Sequence, residues 1–312
     1  MVDYDKFMLT QEDIDLGIED FFTQLLIEAK KQKSGARTLE DLSSKNPTVI
    51  YVVGQPGAGK TTLSRYVEDK YAEQGECTVE VNSDKIATYH RDYNELLKLL
   101  PDECYTLSRQ FVRPAEPKIY ERVRANKLNL IKEICLTKGE ADYADMQIFR
   151  DSGYDVELNI IAVDKYESFL SCIERDIKLL ELGFDPRPVA RINHDRMYEP
   201  LVQELIEIQK RGLSTRTNIY VRGKSLIEPE LVWTTGDNKY ANPQEAVLSE
   251  RSKQRRTILK NPQSYLQRIE DARSKIEIMI KDEKMKNSYL SGLSQLEKEF
   301  LNELAFNRNI GE

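Results

Sequence analysis

Nine consecutive residues carry the clearest chemistry in the chain: Gly54, Gln55, Pro56, Gly57, Ala58, Gly59, Lys60, Thr61 and Thr62. The first eight fit G-x-x-x-x-G-K-[ST] at every specified position. Glycines at these places let the backbone curl so that its N–H groups converge on phosphate oxygens. Lys60 is placed to neutralise the β- and γ-phosphates of ATP, and the Thr61 hydroxyl to hold Mg²⁺. A β-branched run, Thr48–Val53, precedes the motif and a helix is expected from Thr61, so the positive end of that helix adds to the cradle. The alternative reading is a glycine-rich turn without a ligand.

Carboxylates and arginines further along could act on a bound triphosphate. Asp84 follows a second short strand, where residues point into the ligand crevice of an open α/β sheet. There it can take a proton from an acceptor hydroxyl or help orient Mg²⁺, or it can cap the helix that starts at Lys85. Glu133 ends the next buried strand, positioned either to contact substrate or metal or to pair with Lys132 or Lys138. Arg175 lies on an expected helix, and Arg191 follows the loop from Gly183 to Ala190. Phosphoryl transfer needs positive charge on the migrating group, which arginines on a mobile lid supply; solvated surface arginines are the plainer reading. His90 and His194 stand far apart and read as surface or loop histidines.

The elements that position these residues alternate. Strands are expected at Thr48–Val53, Thr78–Asn82, Leu128–Glu133, Val156–Val163 and Asn218–Val221, with Leu231–Trp233 as an edge. Helical stretches fall between them, including Thr61–Glu73, Pro117–Ala125 and Tyr143–Ser152. This pattern predicts an α/β fold, a P-loop kinase-like, mainly parallel sheet with helices on both faces. An N-terminal helical segment (1–46) precedes a kinase domain (47–240). Thr10 and Asp13 form its expected capping pair, ahead of Ile14, Ile18, Phe21 and Leu25. A C-terminal helical extension (241–312) follows, read as two long helices broken near Lys286–Gly292.

Composition narrows the setting. The 312 residues carry a net charge of −7, which gives no reason to expect a nucleic acid or membrane partner. Four scattered cysteines without a C-x-x-C pair fit a reducing compartment. A polar N-terminus and the lack of a long apolar run make the cytoplasm the expected location. A hydrophobic strand ending in adjacent acids is not evident, which disfavours a nucleotide-binding switch ATPase relative to a kinase acting on a small molecule.

Taken in order, Gly54–Thr61, Val81-Asn-Ser-Asp84 with Tyr89–Leu96, Ile173-Glu-Arg175 and Ala190-Arg191 resemble the zeta-toxin family over roughly Val49–Val221. These are the kinase toxins of epsilon–zeta toxin–antitoxin pairs. The resemblance implies ATP-dependent phosphorylation of a sugar hydroxyl of UDP-N-acetylglucosamine and inhibition by a small helical antitoxin. It matches Lys60 and Thr61 to the Walker residues, Asp84 to the catalytic base, and Glu133 to a substrate-binding acid. Arg175 and Arg191 match the arginines that grip phosphates, and Glu116 matches a further substrate carboxylate across one inserted residue. The chain departs from the family at Ile134, where a glycine is expected after the acid, so the acceptor pocket is expected to differ. Another nucleotide, an antibiotic or a cofactor is the alternative acceptor.

Overall fold

Among the described residues, runs rich in Val, Ile and Tyr form six strands: β1 (Thr48–Val53), β2 (Thr78–Glu80), β3 (Asn129–Ile134), β4 (Asp155–Ile161), β5 (Arg216–Val221) and β6 (Glu230–Thr234). In the computed structural model, which describes residues 4–223 and 228–310, they make one sheet in the order β2-β3-β1-β4-β5-β6. β2 runs parallel to β3, and β6 closes the far edge antiparallel to β5. The sheet is mainly parallel and the fold is α/β, as the alternating pattern predicts.

Between and after the strands come α1 (Gln11–Gln32), α2 (Lys60–Glu73), α3 (Ser83–Ala87), α4 (Tyr93–Leu99), α5 (Pro101–Ala125) and α6 (Glu140–Asp151). The rest are α7 (Lys165–Glu181), α8 (Arg191–Tyr198), α9 (Leu201–Lys210), α10 (Pro243–Lys260), α11 (Pro262–Met279) and α12 (Glu283–Ile310). Among the described residues no helix is long and apolar enough to cross a membrane.

The chain divides into two compact units. The first comprises Met1–Tyr51, Ser64–Glu133 and Asp145–Glu157. Here α1 opens on the expected capping box: Thr10 Oγ1 accepts from the Asp13 amide at 3.1 Å, and the Asp13 carboxylate accepts from the Thr10 amide at 2.8 Å. Its buried face, Ile18, Phe21, Phe22, Leu25 and Ala29, contributes to the core alongside Phe111, Ala115, Ile119 and Val123 of α5. α5 begins well before the expected Pro117 and runs through both Pro114 and Pro117. Proline removes helix hydrogen bonds, so burial of the apolar stripe outweighs that cost here. Lys132 on β3 is buried and donates to Asp145 at 2.5 Å, 3.8 Å from the centroid of the Tyr120 ring.

The second unit comprises Val52–Leu63, Ile134–Ala144 and Leu158–Glu312. Its main apolar cluster joins Tyr166, Phe169, Leu170, Ile173 and Ile177 of α7 to Tyr265, Ile269 and Ile276 of α11 and Leu293, Leu296 and Phe300 of α12. Each fully buried side chain of this size contributes about 1.5–3 kcal/mol, so the C-terminal helices are part of the core that fixes α7. The extension forms three helices, and the break expected at Lys286–Gly292 lies earlier, between Met279 and Glu283. Asp282 marks it, accepting from the Met285 amide at 2.6 Å. Gly292 sits inside α12, where an added Cβ would lie 3.1 Å from the Phe169 ring; close packing, not a turn, is what selects glycine there.

Asp145 also accepts from Tyr51 Oη at 2.7 Å, so it is the acidic centre of a polar cluster in the first unit. Asp145→Ala leaves the Lys132 ammonium buried beside aromatic rings, and is expected to cost about 3 kcal/mol. Urea unfolding of the variant against the parent chain measures this.

Candidate active site

β1 delivers the chain into the loop at Gly54, and α2 starts at Lys60. The loop requires glycine at Gly57 for two independent reasons. Its φ is +72°, and a Cβ built there would lie 2.0 Å from the Ser168 carbonyl oxygen of α7. Gly59 also has a left-handed backbone, at φ +106°. Lys60 Nζ donates to the Gly54 carbonyl at 2.9 Å and the Gln55 carbonyl at 3.4 Å, and lies 3.7 Å from Cys135 Sγ. The motif therefore has the curled backbone and the lysine position that cradling a phosphate demands. Burial pushes the Cys172 thiol beneath Gly57 up to about 11, which keeps it protonated and unreactive.

A buried polar network underlies the loop. Gln55 donates to the Val163 carbonyl at 2.8 Å and to Ser168 Oγ at 3.0 Å, while its own side-chain oxygen accepts from Arg251 of α10 at 3.2 Å. Ser168 shares a 2.9 Å hydrogen bond with His194 Nε2, whose Nδ1 meets Asp195 at 3.1 Å. His194 and His90 are both buried, so neither is a surface residue; His90 does lie in a loop, between α3 and α4, whereas His194 lies within α8. Burial pulls each imidazole below its usual 6.5. Just past the end of β5, Arg222 reaches the carbonyls of Gly57 and Ala58.

The two arginines differ in setting. Arg175 is exposed; it donates to Asp176 at 2.8 and 2.9 Å and to the Arg187 carbonyl at 2.8 Å. Arg191 is buried at the start of α8. It donates to Asp195 and to Glu299 of α12, each at 2.9 Å, with its guanidinium 4.9 Å from the Phe169 ring centroid. Its Nη1 is buried without a hydrogen-bond partner among the described residues.

The carboxylates singled out in the sequence lie in the first unit. Asp84 is exposed in the first turn of α3, and the cap is Asn82, whose side chain accepts from the Asp84 amide at 2.8 Å. The capping alternative for Asp84 is thus taken by its neighbour. Glu116 accepts from Ser83 Oγ and from Tyr120 Oη, each at 3.1 Å, tying α5 to α3. Glu133 accepts from Ser64 Oγ of α2 at 2.9 Å. Lys132, the neighbour on the strand that sequence offered as a pairing partner, donates to Asp145, as successive strand residues face opposite sides. Lys138 uses its amide to donate to Asp142 at the start of α6. His194, Arg222 and Arg251 carry no sequence signal beyond residue type, and nothing in the motif ties Gln55 to them; only the fold gathers them.

A loop closed by Lys60 after an interior strand of a mainly parallel sheet defines a kinase-like P-loop protein. The family model described as Zeta toxin matches residues 34–230, and the chain belongs to that family. Toxin PezT of Streptococcus pneumoniae serotype 4 is 26% identical over 198 residues, covering 62% of this chain and 77% of the relative. Toxin zeta of Streptococcus agalactiae is 25% identical over 251 residues, covering 80% and 84%. A structure solved in the molecular and structural characterization of the PezAT chromosomal toxin–antitoxin system of Streptococcus pneumoniae superimposes with a TM-score of 0.65 at 20% identity, covering 85% of this chain and 98% of the other. The AvrRxo1-ORF1:-ORF2 crystal structure with ATP gives 0.50 at 14% identity, covering 92% and 90%.

Gly57→Ala forces a side chain into left-handed backbone and against the Ser168 carbonyl. The backbone alone costs about 1–2 kcal/mol. The variant is expected to lose ATP binding and melt at lower temperature, measured by calorimetric titration and thermal denaturation.

Proposed function

We propose that the protein is an ATP-dependent kinase that phosphorylates a sugar hydroxyl of UDP-N-acetylglucosamine or a related nucleotide sugar, acting in the cytoplasm as a toxin restrained by a protein antitoxin. The observation that carries this reading is the complete phosphate loop, with glycine backbone at Gly57 and Gly59 and Lys60 at the start of α2. The residues of the loop fit a nucleotide triphosphate: Gly57–Lys60 would cradle its phosphates, and the Thr61 hydroxyl would hold Mg²⁺. The metal's chemistry is to neutralise charge that builds on the phosphates during transfer.

Asp84 is exposed and not used as a cap, which suits a general base that takes the proton from the acceptor hydroxyl. Glu116 and Glu133 are assigned to the acceptor; Glu116 is oriented by the Ser83 and Tyr120 hydroxyls, and Glu133 accepts from the Ser64 hydroxyl. Arg175 and Arg191 are assigned to the phosphates on the strength of the family match. Relatives named as toxins, and a fold neighbour from a toxin–antitoxin system, support the toxin and antitoxin roles. The neighbour solved with ATP supports the choice of nucleotide.

A different small acceptor is the second reading, favoured by one observation. Where the family resemblance leads one to expect a glycine after the strand-end acid, this chain has Ile134, whose carbonyl accepts from the Gly54 amide at 3.3 Å. Leu136, two residues on, is forced to φ +50°.

Incubation with γ-labelled ATP and a panel of nucleotide sugars, nucleotides and cofactors separates the readings. Label on UDP-N-acetylglucosamine is expected; label only on some other compound sinks the nucleotide-sugar assignment, and ATP hydrolysis with no acceptor labelled favours a switch ATPase. Asp84→Asn is expected to lower transfer by about 100-fold or more, as loss of a general base does, while ATP affinity stays within about threefold. Transfer near the parent rate would remove Asp84 from the base role.

A further inference from the structure

The phosphate loop is held from behind by a residue that the motif does not contain. Arg222 is the first residue after β5, and its guanidinium is half-buried. Nε donates to the Ala58 carbonyl at 3.2 Å and Nη2 donates to the Gly57 carbonyl. Two consecutive carbonyls thus share one rigid fork of N–H donors, a match that the planar guanidinium supplies and a lysine ammonium does not.

A peptide unit is planar, so fixing a carbonyl also fixes the N–H on its opposite side. The Gly57 carbonyl belongs to the unit that carries the Ala58 amide, and the Ala58 carbonyl to the unit that carries the Gly59 amide. The Ala58 amide closes the turn onto the Gln55 carbonyl at 3.2 Å. The Gly59 amide belongs to the stretch that leads into Lys60. A phosphate nest depends on the direction of such N–H groups, and a cation on the carbonyl side also polarises each amide toward stronger donation.

Arg222 is itself braced. Its Nη1 donates to Ser171 Oγ at 3.0 Å and to Glu167 at 3.3 Å, both on α7. Glu167 is gripped in turn by Arg268 of α11 at 2.9 and 3.0 Å, and the same Arg268 holds Glu174 through two 2.9 Å bonds. The guanidinium therefore cannot swing away without breaking a chain of ion pairs.

We propose that Arg222 is a positioning residue for phosphate binding, setting the peptide planes of Gly57–Ala58 and Ala58–Gly59 so that the loop is preorganised for a nucleotide. This rests on the reading of Gly54–Thr61 as a phosphate loop and is independent of which acceptor is phosphorylated.

Calorimetric titration with ADP, which needs no acceptor, tests it on the full chain and on Arg222→Ala and Arg222→Lys. Loss of a charged hydrogen-bonding pair predicts ADP binding about tenfold or more weaker in Arg222→Ala. Arg222→Lys is expected in between, and millimolar methylguanidine is expected to restore part of the affinity of Arg222→Ala. Unchanged ADP affinity in a folded Arg222→Ala overturns the proposal. So does a loss that tracks the fall in melting temperature, is the same in Arg222→Lys and is not rescued, since that is what a purely structural link between β5 and α7 produces. If Arg222→Ala does not fold, the Arg222→Lys titration decides alone, with parent-like ADP affinity counting against the proposal. Absence of ADP binding by the parent chain sinks the phosphate-loop reading itself and so is told apart from failure at Arg222.

Discussion

Gly57 rests on the backbone of α7 with no room for a side chain, and that contact governs the rest of the second unit. A loop meant to wrap an anion has few side chains of its own with which to hold a shape, so its conformation has to be imposed from outside. The Ser168 carbonyl on one side and Arg222 on the other do this. α7 can serve as that support because its opposite face is locked into an apolar cluster with α11 and α12. Helices that lie outside the family match, which ends at residue 230, thereby bear on a motif near the start of the domain.

The polar groups beneath the loop follow the same logic. A buried amide, hydroxyl, imidazole and guanidinium each cost free energy unless hydrogen-bonded. Gln55, Ser168 and His194 meet that requirement by bonding one another and the backbone, and Arg251 joins them through Gln55 while its Nε stays buried with no hydrogen-bond partner among the described residues. The arrangement ties the loop to α7, α8 and α10 at once. It also explains why a glutamine suits the second motif position: its amide both donates into α7 and accepts from α10.

Charge is distributed with comparable economy. Lys60 bonds the carbonyls of its own loop, Arg175 bonds Asp176, and Arg191 bonds Asp195 and Glu299. Placing Arg191 inside the fold makes it answerable to α12, because Glu299 supplies one of its two carboxylate partners. Glu116 and Glu133 of the first unit are contacted differently, by serine and tyrosine hydroxyls, which orient a carboxylate by donating to it.

Much of this was legible in the residues alone. The phosphate loop is local chemistry, written in consecutive positions, and β-branched runs bounded by turns mark all six strands, including the edge strand near Leu231–Trp233. Those features depend on neighbours in sequence, which a sequence displays. What depends on neighbours in space was not legible: α5 continuing through Pro114 and Pro117, a glycine chosen at Gly292 for the Phe169 ring, two histidines buried, and Lys132 paired with Asp145. The sequence by itself determined that a phosphate could be held at Gly54–Thr61, because glycine freedom and a lysine at that spacing are intrinsic to the chain. Only the tertiary structure decided which residues hold that loop in shape. Arg222 and Arg251 lie more than 160 positions away, and burial alone brings them to the carbonyls and amide they bond.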